Sequence, residues 1–549
     1  MTKRAYPSMR GVIVACVLLL ALSGNVVMAG DTGKISGTVR DKRTGEFLIG
    51  VTVAVKGTNL GASSDLNGFY YILRVPSGTH ELEVRLVGYS TLTVKDVRVQ
   101  NDLTTEINLK LDQSAVELSE VTVTAEQKLV QKDVTSTRRT VSRETMRDSP
   151  GMESAADVFK LQAGTIVSAN PPTLTLAGGT QLQVRDQSLK DVHVRGGRGG
   201  EILYMVDGMP VTHPLYGGRS VVDLNLVDIE SVELLTGGFT AEYGQAQSGV
   251  VNISTRSGGQ TTSGGVEYNT DRLEILGESE NTDYAAAYLG GPEPITHTIL
   301  PWLGITFPGE MSYFLSGNFA LTNTPYDNHR DRGSFRLLGF NITERQDNEK
   351  NLNAKLNWDV SGEHRIALSY HGSWKNWSDF IWLWRDYPNS TPDWMRTNQS
   401  ANLLYSHVLS KSTYYTLNFG YLGVIYNGSL KGKTPDDYWT TDSTGRLYST
   451  VQSPAVDPST GFYDAVGVDA VYHSDDTKTY TFKGDLTSQV HPAHLLKTGL
   501  EVRYNDLSYV DLPDAATKLS RYGDGSDTIP PPGPYPLFGQ DRWVFDVKP

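Results

Sequence analysis

Cysteine is almost absent from this chain of 549 residues. The one present, Cys16, lies inside an N-terminal apolar run. Everything beyond it lacks a thiol, and with it any disulfide framework or thiolate metal site. Long apolar stretches are equally scarce. Gly11–Leu22 (GVIVACVLLLAL) is the one that approaches membrane character, and it falls short of the roughly 20 residues a spanning helix needs. Positive charge is in deficit, with 49 Lys and Arg against 62 Asp and Glu. A net charge of -13 disfavours nucleic acid, whose phosphates would be repelled. No nucleophile beside a base and no metal-ligand cluster stands out, so the sequence points to neither an enzyme nor a bound cofactor.

Lys3, Arg4 and Arg10 precede the apolar run and Val27-Met28-Ala29 follows it. This is the layout of a secretory signal peptide over residues 1–29, with cleavage after Ala29. What the chain has in quantity is glycine and tyrosine, 54 and 28 residues, and alternation of apolar with polar side chains between turn residues. That pattern predicts a mainly β protein.

Residues 30–112 read as a β-sandwich. Strands are expected at 34–40, 50–57, 69–75, 80–89, 91–99 and 105–111, each with one buried face. Turn residues separate them at 41–45, 65–68 and 76–78. Gly37-Thr38-Val39, Thr44-Gly45, Gly50-Val51-Thr52-Val53, Asp65-Leu66-Asn67-Gly68-Phe69-Tyr70 and Gly88-Tyr89 follow one another in an order that resembles the carboxypeptidase regulatory-like domain. The resemblance implies no peptidase. His80 has no His or Glu at ligand spacing and reads as an exposed strand residue.

A linker, residues 113–130, carries one more alternating stretch, Glu117-Leu118-Ser119-Glu120-Val121-Thr122-Val123-Thr124-Ala125. An acidic residue followed by β-branched alternation resembles the TonB box of TonB-dependent outer-membrane receptors. So short a segment binds by adding itself to the edge of a partner's sheet. Val121 and Val123 would face one side, and Thr122 and Thr124 the other. Glu117, Leu118, Glu120, Val121, Thr122, Val123 and Thr124 are the expected partner contacts. The same residues read equally well as an extra edge strand of the preceding sandwich.

Residues 131–259 read as a mixed α/β unit. A helix is expected at 153–162, with Ala155, Val158 and Phe159 inward and Gly164 as a positive-φ cap. A polar, extended segment at 168–190 follows. In DVHVRGGRGGEILYMVDGMP (191–210), Val192 and Val194 alternate, Gly196-Gly197 turns, 202–206 is a buried strand and Asp207-Gly208 a tight turn. The glycine-rich loop is not a phosphate loop, since a strand rather than a Lys-Ser/Thr helix follows it. With IESVELLTG (229–237), Tyr243-Gly244 and GVVNIST (249–255), the order resembles the plug domain of the same receptors. That resemblance marks Arg195, Gly196, Asp207, Gly208, Glu230, Glu233, Tyr243 and Gly244 as structural or ion-pair positions. It implies that Arg195, Glu230 and Glu233 pair with a surrounding barrel; a solvated strand face is the competing reading.

From residue 260 to 549 the pattern becomes long alternating strands, expected at 263–275, 282–290, 311–323, 349–360, 364–378, 397–409, 413–430, 476–490 and 494–511. Short and long connections often alternate, as in outer-membrane barrels. The connection 291–310 is long where a short one is expected. Nine strands, with a tenth begun at 542–547, are fewer than the 22 of plugged transporters. The sequence therefore predicts an incomplete transmembrane antiparallel barrel, part of a longer receptor or one completed by a second chain. Trp374 and Trp377 read as an interfacial girdle. Trp382, Trp384 and Trp394 divide between girdle and ligand stacking. Asp524-Gly525-Ser526-Asp527 reads as loop rather than calcium site.

The resemblance implies an outer-membrane receptor of a Gram-negative cell with its N-terminal domains in the periplasm. It would import a scarce substrate when the inner-membrane TonB complex pulls 117–125 and displaces the plug. A surface substrate-binding lipoprotein is a further expected partner. A signalling or adhesive receptor is the alternative.

Overall fold

The computed structural model describes residues 32–512 apart from 59, 77, 100–103, 114–120, 125–136, 150–157, 159–163, 170–172, 176–180, 184–189, 199, 217–223, 240–241, 245, 260, 273–278, 325–328, 331, 338–339, 362, 411, 442, 444–446, 450–453, 466 and 492–493. The signal peptide, the helix at 153–162 except Val158, the strand at 542–547 and Asp524–Asp527 lie outside the described residues.

Nine strands make the N-terminal sandwich: β1 (Thr32–Asp41), β2 (Thr52–Val55), β3 (Gly61–Ser63), β4 (Phe69–Pro76), β5 (Gly78–Arg85), β6 (Leu92–Val99), β7 (Thr104–Glu106), β8 (Leu109–Leu111) and β9 (Val121–Thr124). One sheet runs β4-β1-β7, with β8 also on β1, and the other runs β3-β2-β5-β6-β9. Alternation puts Ile35, Val39, Tyr70 and Ile72 of the first sheet against Val53, Leu82, Val84 and Val94 of the second in one core. The strand expected at 105–111 is interrupted. Its register on β1 is the same on both sides, with Ser36 opposite Glu106 and Val39 opposite Leu109. Between them Asn108 Oδ1, not a backbone carbonyl, accepts the Thr38 N–H at 2.9 Å. A Cβ on Gly37 would strike the Ile107 carbonyl, so only glycine permits this close crossing. The strand β3 is too short to show a period.

The central unit contains β10 (Thr137–Ser142), β11 (Thr165–Ala169), β12 (Thr173–Thr175), β13 (Gln181–Gln183), β14 (Lys190–Val194), β15 (Ile202–Val206), β16 (Met209–Pro210), β17 (Ile229–Thr236) and β18 (Gly249–Thr255). Its main sheet is β10-β17-β18-β15-β16, while β11 pairs with β14 and β12 with β13. Every residue of β15 and β18 is buried, so this sheet is covered on both faces. Asp207 (φ 47°) and Gly208 (φ 77°) make the two-residue turn between β15 and β16. Gly164 has the positive φ expected of it, 82°.

All nine long strands anticipated after residue 260 are present: β19 (Ser263–Thr270), β20 (Asp283–Pro292), β21 (Glu310–Thr322) and, after a loop hairpin β22 (Ser334–Leu337) and β23 (Phe340–Thr343), β24 (Asp347–Asp359), β25 (His364–Trp377), β26 (Asp393–Ser410) and β27 (Thr413–Ser429). A second loop hairpin, β28 (Trp439–Thr441) and β29 (Leu447–Ser449), precedes β30 (Tyr472–His491) and β31 (His494–Leu512). They form one antiparallel meander in chain order, with β19 and β31 as its edges among the described residues.

The two faces of this sheet differ. Leu422 and Val424 of β27 join the core of the central unit. Residues in step with them on neighbouring strands, such as Asn353, Ser373, Asn398 and Thr477, are polar and buried. Residues out of step, among them Leu315, Leu352, Leu368, Leu403, Tyr480 and Leu500, are apolar and exposed. An apolar outer band around a polar interior is the signature of a sheet whose outside faces lipid. No described helix is long and apolar enough to cross a membrane.

Candidate functional site

The central unit sits on the polar face of the nine-strand sheet and is bonded to it from several strands. At β24, Lys355 Nζ donates to Asp207 Oδ2 at 2.9 Å and to Thr255 Oγ1 at 3.1 Å. Asp207 also accepts the Thr255 N–H at 2.8 Å and its hydroxyl at 2.5 Å. The positive-φ turn thus aims a buried carboxylate at the wall. At β30 and β31, Lys483 and Lys497 donate to Glu242 at 2.8 and 3.1 Å. Near the long-loop end, His213 Nε2 lies 3.1 Å from Asp475 Oδ2 without hydrogen-bond alignment, both side chains buried. His213 also packs against Tyr216, ring centroids 4.2 Å apart and planes tilted by 32°. A Cβ on Gly420 would strike the tip of Met209, so glycine there lets the β15–β16 hairpin touch the wall.

The acids at this seam respond to pH in opposite senses. Burial pushes the Asp228 carboxyl up to about 6, against its bond from Ser316 and the Arg256 charge. Its ionisation therefore weakens the seat as pH rises through that value. Burial also opposes the Glu242 charge, but Lys483 and Lys497 outweigh it and hold that carboxyl well below its ordinary 4.5. An acid depressed in the folded state keeps its full contribution above the unfolded value and loses it as pH falls through the folded one. Seating of the central unit should therefore hold from neutrality down to the ordinary glutamate range and loosen only below it. Entry of a large antibiotic into cells, followed against pH, checks this; loosening between pH 7 and 5 would show that the Glu242 bonds do not carry the seat.

The expected ion-pair positions are redistributed. Arg195 Nη1 reaches the Thr236 carbonyl at 3.5 Å, and Glu233 pairs with Arg138 of β10 at 3.4 Å; both contacts are internal to the central unit. Glu230 lines a chamber at the short-turn end, and burial raises its pKa. Asp207, marked in the sequence as a structural or ion-pair position, bonds to the barrel through Lys355, as Glu242 does through Lys483 and Lys497. The sequence named Arg195, Glu230 and Glu233 rather than Asp207 as the barrel-facing charges, because Asp-Gly is already explained by backbone geometry. A sequence signal for this pairing lies in Lys355 and Lys483, cations at inward positions of strands whose inward side is polar. Gly196 (φ 78°) makes the expected turn. Tyr243 packs with Leu203, Met205, Leu235 and Val250, while Gly244 is exposed. Glu201 accepts the Arg198 N–H and the Ser248 hydroxyl, so the glycine-rich loop closes on its own carboxylate and presents no anion seat.

The tryptophans divide by face. Trp374 points outward, as a girdle residue should. Trp377, expected beside it in the girdle, lies three residues further along β25, out of step with it, and points inward. Tyr426 stacks between Trp377 and Trp394 at 5.9 and 5.6 Å, with interplanar angles of 13° and 16°. Trp394 is buried in that stack, and Trp384 is buried against Tyr463. Trp382, 61% exposed on the loop after β25, is the one of the three ligand-stacking positions open to solvent.

The segment expected to bind a partner is also placed. Strand β9 lies parallel to β6, with Leu92 opposite Val121, Thr93 opposite Thr122, Val94 opposite Val123 and Lys95 opposite Thr124. Of the two readings its sequence allowed, the extra edge strand of the sandwich is the arrangement in this structure. Glu117, Leu118 and Glu120 lie outside the described residues. Among the described residues the pairing reaches Lys95, where β6 bulges: its register on β5 shifts, and Asp96 takes φ 58°. Residues 125–136 then connect β9 to β10, the edge strand of the central sheet. The sandwich lies across the short-turn end of the barrel sheet, where Lys34 donates to Gln489 at 2.6 Å. Between the three units is a chamber of about 590 Å³, lined by Lys56 and His80 of the sandwich, Glu230 and Thr255 of the central unit, and Lys355 and Arg365 of the wall.

A bonded stopper inside an open, lipid-facing strand sheet defines a plugged outer-membrane β-barrel protein. Residues 35–123 match the CarboxypepD_reg-like domain and residues 130–251 the TonB-dependent Receptor Plug Domain. TonB-dependent receptor P3 of Formosa agariphila is 27% identical over 333 residues, 55% of this chain and 30% of that protein. TonB-dependent receptor SusC of Bacteroides thetaiotaomicron is 25% identical over 333 residues, covering 56% and 31%. The ferric citrate transporter FecA in its unliganded form covers 68% of this chain and 48% of its own, at 14% identity and a TM-score of 0.42. These matches support a TonB-dependent receptor with an N-terminal regulatory-like domain. It spans about a third of the length of the curated relatives it matches.

Proposed function

We propose that this chain belongs to a transporter that imports a scarce substrate across the outer membrane of a Gram-negative cell by TonB-driven displacement of its plug. One observation carries the reading: a single connection joins β9, a four-residue strand, to β10 at the edge of a plug sheet that ion pairs hold against the wall. Force applied to β9 travels through 125–136 to β10 and is spent on the edge strand first. The outer membrane has no ATP, so energy has to arrive mechanically through a periplasmic partner, the TonB complex. No step requires covalent chemistry. A surface substrate-binding lipoprotein is a further partner of this reading. A signalling or adhesive receptor is the alternative.

Docking of β9 adds a condition. A strand already hydrogen-bonded to β6 cannot add to a partner's sheet edge at the same time, so TonB has to take it from the sandwich. Adjacent strands lie about 4.8 Å apart, within the span a disulfide bridges. Thr93→Cys with Thr122→Cys should therefore cross-link under oxidation, whereas Thr93→Cys with Thr124→Cys, out of register, should not. The oxidised in-register variant should fail to capture the purified C-terminal domain of TonB, and reduction should restore capture. A cross-link that leaves both capture and uptake intact would sink the import reading; absence of any cross-link would instead remove the docked strand.

A further inference from the structure

The connection between β20 and β21 breaks the short-turn pattern at its end of the barrel and is unlike the long loops at the other end. Glu293 and His297 are its sole ionisable side chains. It folds into a helical segment, Ile295–Ile299 continuing through Leu300–Trp302. Glu293 starts it, its carboxylate accepting the N–H groups of Ile295 and Thr296 at 2.9 and 2.8 Å and the Thr296 hydroxyl at 2.9 Å. Gly304, at φ 75°, ends it.

Along this segment Ile295, Ile299, Trp302 and Leu303 recur at i, i+4, i+7 and i+8. In a water-soluble domain that stripe would face a core. Here all four are exposed, Trp302 by 82%. The opposite side carries His297, which lines the chamber beneath the plug. The return limb is fastened to the outside of the barrel. Trp358 is out of step with the inward Lys355, so it belongs to the lipid-facing band. Its indole N–H donates to the Pro308 carbonyl at 2.9 Å, and its ring meets Phe307 at 5.2 Å. The exposed stripe is thus joined to the outer apolar surface, not to the lumen.

We infer that residues 293–309 form a foot that lies in the periplasmic leaflet, its stripe of Ile295, Ile299, Trp302 and Leu303 among the lipid chains and its His297 side toward the chamber. The occupant is lipid, because the stripe continues a band that already faces lipid. An exposed tryptophan on a short apolar helix is suited to the headgroup boundary, where an amphipathic ring has one wet and one dry side. The foot would set the height of the short-turn rim and keep this edge of the mouth from shifting when the plug moves. This inference rests on the membrane reading of the sheet.

Nitroxide labels separate the possibilities. The outer-membrane protein carrying Leu303→Cys, Leu368→Cys or His297→Cys is reconstituted into phosphatidylethanolamine–phosphatidylglycerol vesicles. Relaxation by oxygen, which concentrates in lipid, is compared with relaxation by a water-soluble nickel complex. Oxygen should dominate at 303 and 368, with the ratio reversed at 297. Nickel dominating at 303 while oxygen dominates at 368 would overturn the foot and leave the barrel reading intact. Protection from both reagents at 303 would mean that protein covers the stripe, and would also overturn it. Nickel dominating at 368 would overturn the membrane reading itself.

Discussion

Replacing residues 117–125 with a Gly/Ser segment of equal length should reduce receptor-dependent growth on a limiting nutrient to background while leaving surface binding of that nutrient intact. The replacement keeps the reach of the tether, since a flexible linker of the same length spans the same gap. What it removes is β-branched alternation, and with it the ability to hold a strand at a sheet edge. Capture of the TonB C-terminal domain should be lost together with growth. Loss of uptake with preserved binding separates a transporter from an adhesive receptor, which would be indifferent to the change. Uptake that survives would mean force enters the plug elsewhere, and the mechanical reading would fall. The same variant leaves the β6 edge bare, so a modest rise in self-association is a secondary expectation.

The second large effect belongs to the seam. Lys355→Met removes a cation and leaves Asp207 buried with the Thr255 N–H and hydroxyl as its donors. Breaking a buried pair from one side costs about 3–5 kcal/mol, because the remaining charge has lost its water and its partner together. The plug should sit less firmly, and cells should become sensitive to a large antibiotic that an intact outer membrane excludes. Asp207→Asn in the same background should recover much of the loss: the uncompensated charge is gone, and the amide oxygen still accepts from Thr255. Strong non-additivity in that double variant is the signature of direct coupling. If Lys355→Met changes neither thermal stability nor permeability, the Asp207 contact does not hold the plug.

The sequence located nearly all the long strands, because one-face burial leaves a period of two that needs no knowledge of neighbours. It also located the Asp207-Gly208 turn and the positive φ at Gly164, both of them local demands. It did less well wherever a partner had to be named. Glu233 has the same charge and spacing whether it meets a barrel cation or Arg138 across one strand. Trp377 and Trp374 are three residues apart, and their opposite faces follow from register alone; a slip of one residue exchanges them. For 117–125 the pattern was legible as a strand, but a strand that can join a partner's sheet can equally join its own.

Local chemistry, then, settled where the chain extends, where it turns and which side chains share a face. Those properties depend on backbone dihedrals and alternation within about ten residues. The tertiary structure alone decided that Asp207 would meet Lys355, 148 positions away, that β9 would rest on β6, and that the stripe of Ile295, Ile299, Trp302 and Leu303 would face outward. Each is a pairing between distant segments, and the interaction free energy of such a pair exists only once the rest of the chain has brought the two within reach.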